Sequence, residues 1–190
     1  MILKSFVHGK ETDYENGEFS IINPASGKEA YRAQYASKEV IQYAVASAKK
    51  GFKQWSRFSA EQRQHTLLRV AQLLRDNREK LAKIEVIDTG KPLQEALSVD
   101  LPSSAEVFEY YAGLANAIEG TQHFSGEDFF YTRREPIGLC AGIGAWNYPL
   151  QIACWKVAPA LACGNTMIFK PSEHTPKSAI ELAKIIIEAG

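Results

Sequence analysis

The chain of 190 residues carries 22 Lys plus Arg against 22 Asp plus Glu, with 45% hydrophobic and 23% charged residues. That is the composition of an ordinary globular protein, and its balanced charge gives nucleic acid or anionic lipid no electrostatic hold. Three cysteines, Cys140, Cys154 and Cys163, make neither a paired disulfide framework nor a CxxC zinc site. The first ten residues lack a signal-peptide core, and no uncharged apolar run reaches the roughly 18 residues of a membrane span. The expectation is a cytoplasmic protein without membrane association.

From residue 37 to 117 the apolar residues recur at helical spacing. Ser37 caps VIQYAVASAKKGF, whose Val40, Ala44, Ala48 and Phe52 share a stripe. Ser59 and Gln62 form a capping box, and the helix that follows turns Leu67, Leu68, Ala71 and Leu74 inward. Asn77 caps the next, which carries Leu81, Ile84 and Ile87 and stops at Thr89-Gly90, with Pro92 beyond. A last helix over 103–117 shows Val107, Phe108, Tyr111 and Ala115.

Around residue 129 the period changes. FFYTRR, 129–134, alternates as an exposed strand until Pro136 interrupts it. IGLCAGI, 137–143, is a compact apolar run suited to a buried parallel strand ended by Gly144. Pro149 opens a helix over 149–162 that stops at Gly164. The strand TMIFK, 166–170, follows, and then a helix opened by Thr175-Pro176 carries Ile180, Leu182, Ala183, Ile186 and Ile187. Strand, helix, strand, helix is the repeat of a parallel sheet with right-handed crossovers. Two parallel strands cannot bury both faces, so the expectation is a fragment, or a chain that needs more polypeptide to finish its core.

The segment GLCAGIGAWNYP lies where open α/β sheets bind ligands, at a strand end and helix start. Its glycines, Gly138, Gly142 and Gly144, do not have GxGxxG spacing, and close backbone packing explains them as well as ligand approach does. The Asn147 amide can donate to a developing oxyanion, or cap the following helix. In KPSE, Lys170 and Glu173 can hydrogen-bond sugar hydroxyls, although by pattern alone an exposed ion pair is the better reading. Trp146, Tyr148 and Trp155 suit either a core or a site for a cationic group.

Together these residues are more specific than any one of them. The run from Glu135 to Gly190, EPIGLCAGIGAWNYPLQIACWKVAPALACGNTMIFKPSEHTPKSAIELAKIIIEAG, resembles the NAD-dependent aldehyde dehydrogenase superfamily. INPASGK, the helix ending in DTGKP, and EYYAGLANAIEG followed by YTRREP extend the resemblance over nearly the whole chain. Within the superfamily, WNYP, the WK that starts seven residues after Tyr148, and KPSE are most similar to betaine aldehyde dehydrogenases and their relatives that oxidise trimethylammonium or amino aldehydes.

The resemblance implies an α/β fold: the N-terminal portion of an aldehyde dehydrogenase, a helical segment followed by the first strands of a Rossmann-like parallel sheet. Residues 1–128 would be the helical part of the cofactor-binding domain, 129–136 an oligomerisation-type strand, and 137–190 an incomplete NAD-binding unit. It implies that Gly144, Ala145 and Trp146 line the nicotinamide-dinucleotide groove and that Lys170, Pro171, Ser172 and Glu173 hold the adenosine ribose. Asn147 matches the family's oxyanion-stabilising asparagine and Lys156 a charge-relay lysine, although a helix-surface lysine reads equally well there. Tyr148 and Trp155 match part of an aromatic box for a quaternary ammonium. Carbonyls near Ile22, Asp88 and His174 match a site for a structural monovalent cation, potassium or sodium.

The implied reaction is oxidation of a small-molecule aldehyde, betaine aldehyde to glycine betaine, with NAD rather than NADP. It would run through a thiohemiacetal and a thioester on a cysteine beyond this chain. None of the three cysteines here sits in the family's nucleophile motif, each reads as inert apolar filler, and the chain alone is expected to be inactive. The complete enzyme is expected to be a homodimer or homotetramer. The competing readings are a trimethylaminobutyraldehyde or amino-aldehyde dehydrogenase, and a truncated non-catalytic paralogue that pairs with full-length subunits through FFYTRR.

Overall fold

The structure, a computed structural model, describes residues 2–12 and 16–190. The chain opens with strands: β1 (Ile2–Leu3), β2 (Phe6–Val7), β3 (Lys10–Glu11), β4 (Glu18–Asn23) and β5 (Lys28–Gln34). This corrects the expectation of a helical part beginning at residue 1. β4 and β5 pair antiparallel with a bulge between Ile21 and Ile22, and β1 adds parallel to β5. Their turn follows from INPASGK: the Asn23 side-chain oxygen accepts from the Ala25 amide at 2.9 Å, and Gly27 closes the turn at φ +66°. Alternate residues face inward, so Leu3, Ile21, Tyr31 and Ala33 make a small core of their own.

The helices then follow the predicted order. Ser37 caps α1 (Lys38–Trp55) by accepting from the Val40 amide, and Ser59 and Gln62 close the expected capping box on α2 (Ala60–Asp76). The inward face of α2 is Leu67, Val70, Ala71, Leu73 and Leu74, whereas Leu68 is 43% exposed. Three of the four residues predicted inward, Leu67, Ala71 and Leu74, are therefore in the core, and Leu68 is not. Asn77 does not cap α3 (Arg78–Thr89): its side-chain amide donates to the Leu73 carbonyl and so closes the end of α2 instead. Gly90 ends α3 in the left-handed conformation, φ +75°, as its position before Lys91-Pro92 predicts.

The helix expected over 103–117 begins earlier. α4 (Leu93–Glu95) runs into a π-helical turn (Ala96–Asp100), then α5 (Leu101–Leu114) and a 3₁₀ turn (Ala115–Ala117). Phe108 on α5 is fully buried in the main core, and α5 packs against both α2 and α6 (Pro149–Ala162). The strand of FFYTRR is β7 (Asp128–Tyr131), shorter than predicted, and it pairs antiparallel with an unforeseen strand, β6 (Gln122–Ser125). β8 (Leu139–Ile143) and β9 (Thr166–Lys170) form the predicted parallel pair around α6, and α7 (Lys177–Ala189) closes the chain.

Period two places β9 between two layers. Met167 and Phe169 join the main core, while the Thr166 hydroxyl donates to the Ala48 carbonyl of α1 on the other face. The last carbonyls of α6, orphaned by helix geometry, are met by side chains: Trp55 Nε1 donates to Leu161 and Arg63 Nε to Ala162.

β8 is less buried than an apolar run suggests. Ile143 is 70% exposed and, just before the strand, Ile137 is 90% exposed; on α7 Ile187 also faces outward, whereas Leu182 is buried. The hairpin adds Phe124, Phe129, Phe130 and Tyr131 to the apolar surface. Apolar surface of this extent drives association. The isolated 190-residue polypeptide is therefore expected to self-associate and to bind a hydrophobic dye, as read by light scattering and fluorescence. A monodisperse monomer with a sharp cooperative melt would contradict this.

Candidate active site

The C-terminal ends of β8 and β9 converge at one edge. The Gly144 amide donates to the Lys170 carbonyl at 2.8 Å, continuing the ladder one residue past the strands. A Cβ on Gly142 or Gly144 would stand 2.9 or 2.8 Å from the Phe169 ring, so close packing against Phe169 requires both glycines. Ala145 is half-buried and Trp146 lies 62% exposed, its carbonyl held by the Thr175 hydroxyl at 3.1 Å.

In KPSE, Lys170 Nζ and Glu173 Oε2 pair at 3.1 Å in the open. The Glu173 carboxyl is held below its ordinary range by its own backbone amide and by Lys170. Ser172 is buried, and its hydroxyl accepts from the His174 amide, which fixes the turn after Pro171. The exposed ion pair is thus present, and it stands at the strand ends.

Asn147 and Tyr148 precede α6. Asn147 is exposed, and its side chain does not cap the helix: the N-cap position is Tyr148, with no side-chain capping bond, and Pro149 follows as the first helical residue. The Tyr148 hydroxyl donates to Glu95 Oε1 at 3.2 Å, which raises its pKa above the ordinary tyrosine range. The Lys91 ammonium lies 4.1 Å from the centre of the Tyr148 ring and is ion-paired with the fully buried Asp100. This ring therefore already engages a cation. Trp155, two turns along α6, is half exposed, and Lys156 beside it is exposed with no ion pair among the described residues. Trp146 and Trp155 are surface aromatics, which sets aside the reading of them as core.

Ile22, Asp88 and His174, far apart in sequence, line one cavity of about 290 Å³ together with Ser20, Trp146 and Thr175. Asp88 is almost wholly buried. Both its oxygens accept from the Tyr31 hydroxyl at 2.8 Å, and Oδ2 also accepts from the Lys177 amide. Burial pushes its carboxyl up to about 6, the Tyr31 and Lys177 donors opposing the rise. Among the described residues no cluster of three His, Cys, Asp or Glu side chains is placed to hold a metal.

Cys154 is buried and burial pushes its thiol far up, so it is inert as expected. Cys140 is half-buried, but Cys163, at the end of α6, is exposed and is not core filler. Residue patterns missed the ring of charge around Tyr148, formed by Lys91, Glu95 and Asp100. The GKP signal that ends α3 marked the place, but only the fold of α4 and the π turn brings these side chains to α6.

No described helix is long and apolar enough to cross a membrane. The profile of the aldehyde dehydrogenase family matches residues 11–190. The chain is 54% identical over 187 residues to betaine aldehyde dehydrogenase of Vibrio vulnificus strain YJ016, covering 97% of this chain and 38% of that protein. Among solved structures, the NAD+ complex of aldehyde dehydrogenase from Bacillus cereus superposes with a TM-score of 0.94 at 35% identity, covering 100% of this chain and 40% of that one. The structure of 3,6-anhydro-L-galactose dehydrogenase in complex with NAP superposes with a TM-score of 0.94 at 30% identity, with the same two coverages of 100% and 40%. The chain thus spans well under half the length of the relatives it matches. With the family profile matched over residues 11–190 and a relative 54% identical across 97% of this chain, the chain belongs to the aldehyde dehydrogenase family.

Proposed function

We propose that this chain forms the N-terminal part of a cytoplasmic, NAD-dependent oxidoreductase that converts betaine aldehyde to glycine betaine. The observation that carries the reading is the Asn147 side chain, exposed and free of any capping role at the ends of the parallel strands. A primary amide so placed can donate to the oxygen of a substrate carbonyl, and that bond strengthens as the oxygen becomes an oxyanion. The nucleophilic cysteine and the general base would come from polypeptide C-terminal to Gly190, through the thiohemiacetal and thioester typical of covalent acyl transfer.

The residues present fit a nicotinamide dinucleotide. Lys170 and Glu173 are exposed side by side at the strand ends, with donor and acceptor facing outward for ribose hydroxyls, and the backbone of Gly144, Ala145 and Trp146 runs alongside. When bound, the cofactor supplies the hydride acceptor. Glu173 would repel a 2′-phosphate, favouring NAD over NADP. Glu173→Gln in the complete enzyme is expected to narrow that preference. An unchanged ratio of the two kcat/KM values would remove Glu173 from ribose recognition.

Substrate class is supported by Tyr148, whose ring face holds the Lys91 ammonium and so is electronically suited to a trimethylammonium group. The cavity between Ile22, Asp88 and His174 would hold a structural potassium or sodium through backbone carbonyls, and the β6–β7 hairpin, aromatic and exposed, would pair subunits into a dimer or tetramer. The test is NAD reduction by the complete protein with betaine aldehyde, trimethylaminobutyraldehyde, an amino aldehyde and propanal. Betaine aldehyde is expected to give the highest kcat/KM. Preference for a longer or amino aldehyde would reassign the substrate, and no oxidation of any of them would overturn the reading.

A further inference from the structure

Glu85, in the middle of α3, is fully buried, and neither of its carboxyl oxygens has a hydrogen-bond partner among the described residues. A carboxyl in a core without partners is costly, and an apolar side chain of similar volume would serve stability at least as well. Its surroundings indicate a different role. The Leu150 amide of α6 and the Ser178 hydroxyl of α7 face the carboxyl, and that hydroxyl is equally unpartnered. Lys91 and Asp100 are the charged neighbours, while the Cys154 thiol of α6 and the Tyr31 hydroxyl of β5 lie within its field.

The first turn of α6 lacks the usual means of satisfying its amides. Tyr148 offers no side-chain cap and Pro149 has no amide, so the Leu150 amide is the first orphan donor of the helix, and Leu150 is itself fully buried. Three residues before it stands Asn147. An anion at this end of a helix is favoured by the aligned peptide dipoles. We propose that Glu85 is a positioning residue: once ionised, its unpartnered carboxylate takes up the Leu150 amide that faces it, and so fixes the first turn of α6 with Asn147 aimed at the reacting carbonyl. This rests on the assignment of Asn147 made above. Ionised, Glu85 can accept from Leu150 and Ser178 at once; protonated, it keeps one full acceptor. Burial pushes its carboxyl up to about 7, so the holding form gains ground as pH rises through neutrality.

The test uses the complete enzyme with Glu85→Gln, Asn147→Ala and the double variant. Glu85→Gln keeps the shape of the side chain but not the charge. It is expected to lower kcat about tenfold, within the roughly 100-fold that a small misplacement can cost, and to remove a rise in kcat between about pH 6 and 8 seen in the parent. KM for the aldehyde, the Kd for NAD and Tm are expected to stay close to the parent's. Because Glu85 acts through Asn147, the double variant is expected to lose no more than Asn147→Ala alone. A parent-like pH profile in Glu85→Gln, or full additivity in the double variant, would overturn the proposal while leaving Asn147 in place. Near-parent turnover in Asn147→Ala would instead overturn the oxyanion assignment, and the proposal with it.

Discussion

Asn147→Ala in the complete enzyme is expected to cut turnover about 100- to 1000-fold, or roughly 2.7 to 4 kcal/mol of transition-state stabilisation, the usual cost of removing one oxyanion donor. The loss should fall on kcat, because the bond to a neutral carbonyl is weaker than the bond to the oxyanion that replaces it. Affinity for NAD should barely change, since Lys170 and Glu173 stand on a separate turn and Trp146 contributes backbone. Stability should also hold. An asparagine that capped α6 would cost about 1 kcal/mol when removed, but the N-cap here is Tyr148 and Asn147 makes no capping bond. Turnover, NAD binding and Tm measured on one variant decide the matter: an early melt with near-parent turnover would return Asn147 to a structural role.

The largest effect on stability is expected at Phe108. Its ring is fully buried in the main core, and truncation to alanine removes both transfer energy and packing, about 3 to 5 kcal/mol in comparable cores. Leu68→Ala is the matched control. Helical periodicity alone assigns Leu68 to the core, yet it is 43% exposed, so its truncation should stay within about 0.5 kcal/mol, as surface changes do. Denaturant unfolding of the two variants of the complete enzyme gives the comparison, and equal shifts would mean that Leu68 is packed in the core after all.

The contrast between these two residues shows where sequence reading succeeds. Local chemistry was legible: the Ser59–Gln62 box, the Gly90 stop, Pro149 at the start of α6 and the bounds of TMIFK all depend on residues within a turn of one another. The margin of the α2 face was not: Leu67, Ala71 and Leu74 lie inward as periodicity predicts, but the choice between Leu68 on one side of that stripe and Val70 or Leu73 on the other is made by α5 and α6, which come much later in the chain. Asn77 went the same way, since a side chain that can cap forward can also bond backward to Leu73. The strands before residue 37 carry short, mixed patterns, and β5 among them is tied through Tyr31 to Asp88, more than 50 residues away. At the site, the motif residues were legible one by one. Their neighbours Glu85, Glu95 and Asp100 were not, because a buried or bridging carboxylate looks the same in sequence as a solvated one.

The π turn at Ala96–Asp100, in which the Leu101 amide reaches back to the Ala96 carbonyl, is how a helix accommodates one residue more than α spacing allows. It works as a splice: the extra residue is taken up within one turn, so the segments before and after it keep their facing. Upstream, Lys91 and Glu95 reach Tyr148; downstream, Phe108 and Ala112 join the core. Shortening the turn by one residue is therefore expected to leave an unbroken α-helix with both directions kept, whereas the same deletion inside α5 would rotate everything after it by about 100°, the angular step of one helical residue. Slack in length is thus confined to a single turn here, as it is to the tip of the β6–β7 hairpin, exposed on both strands.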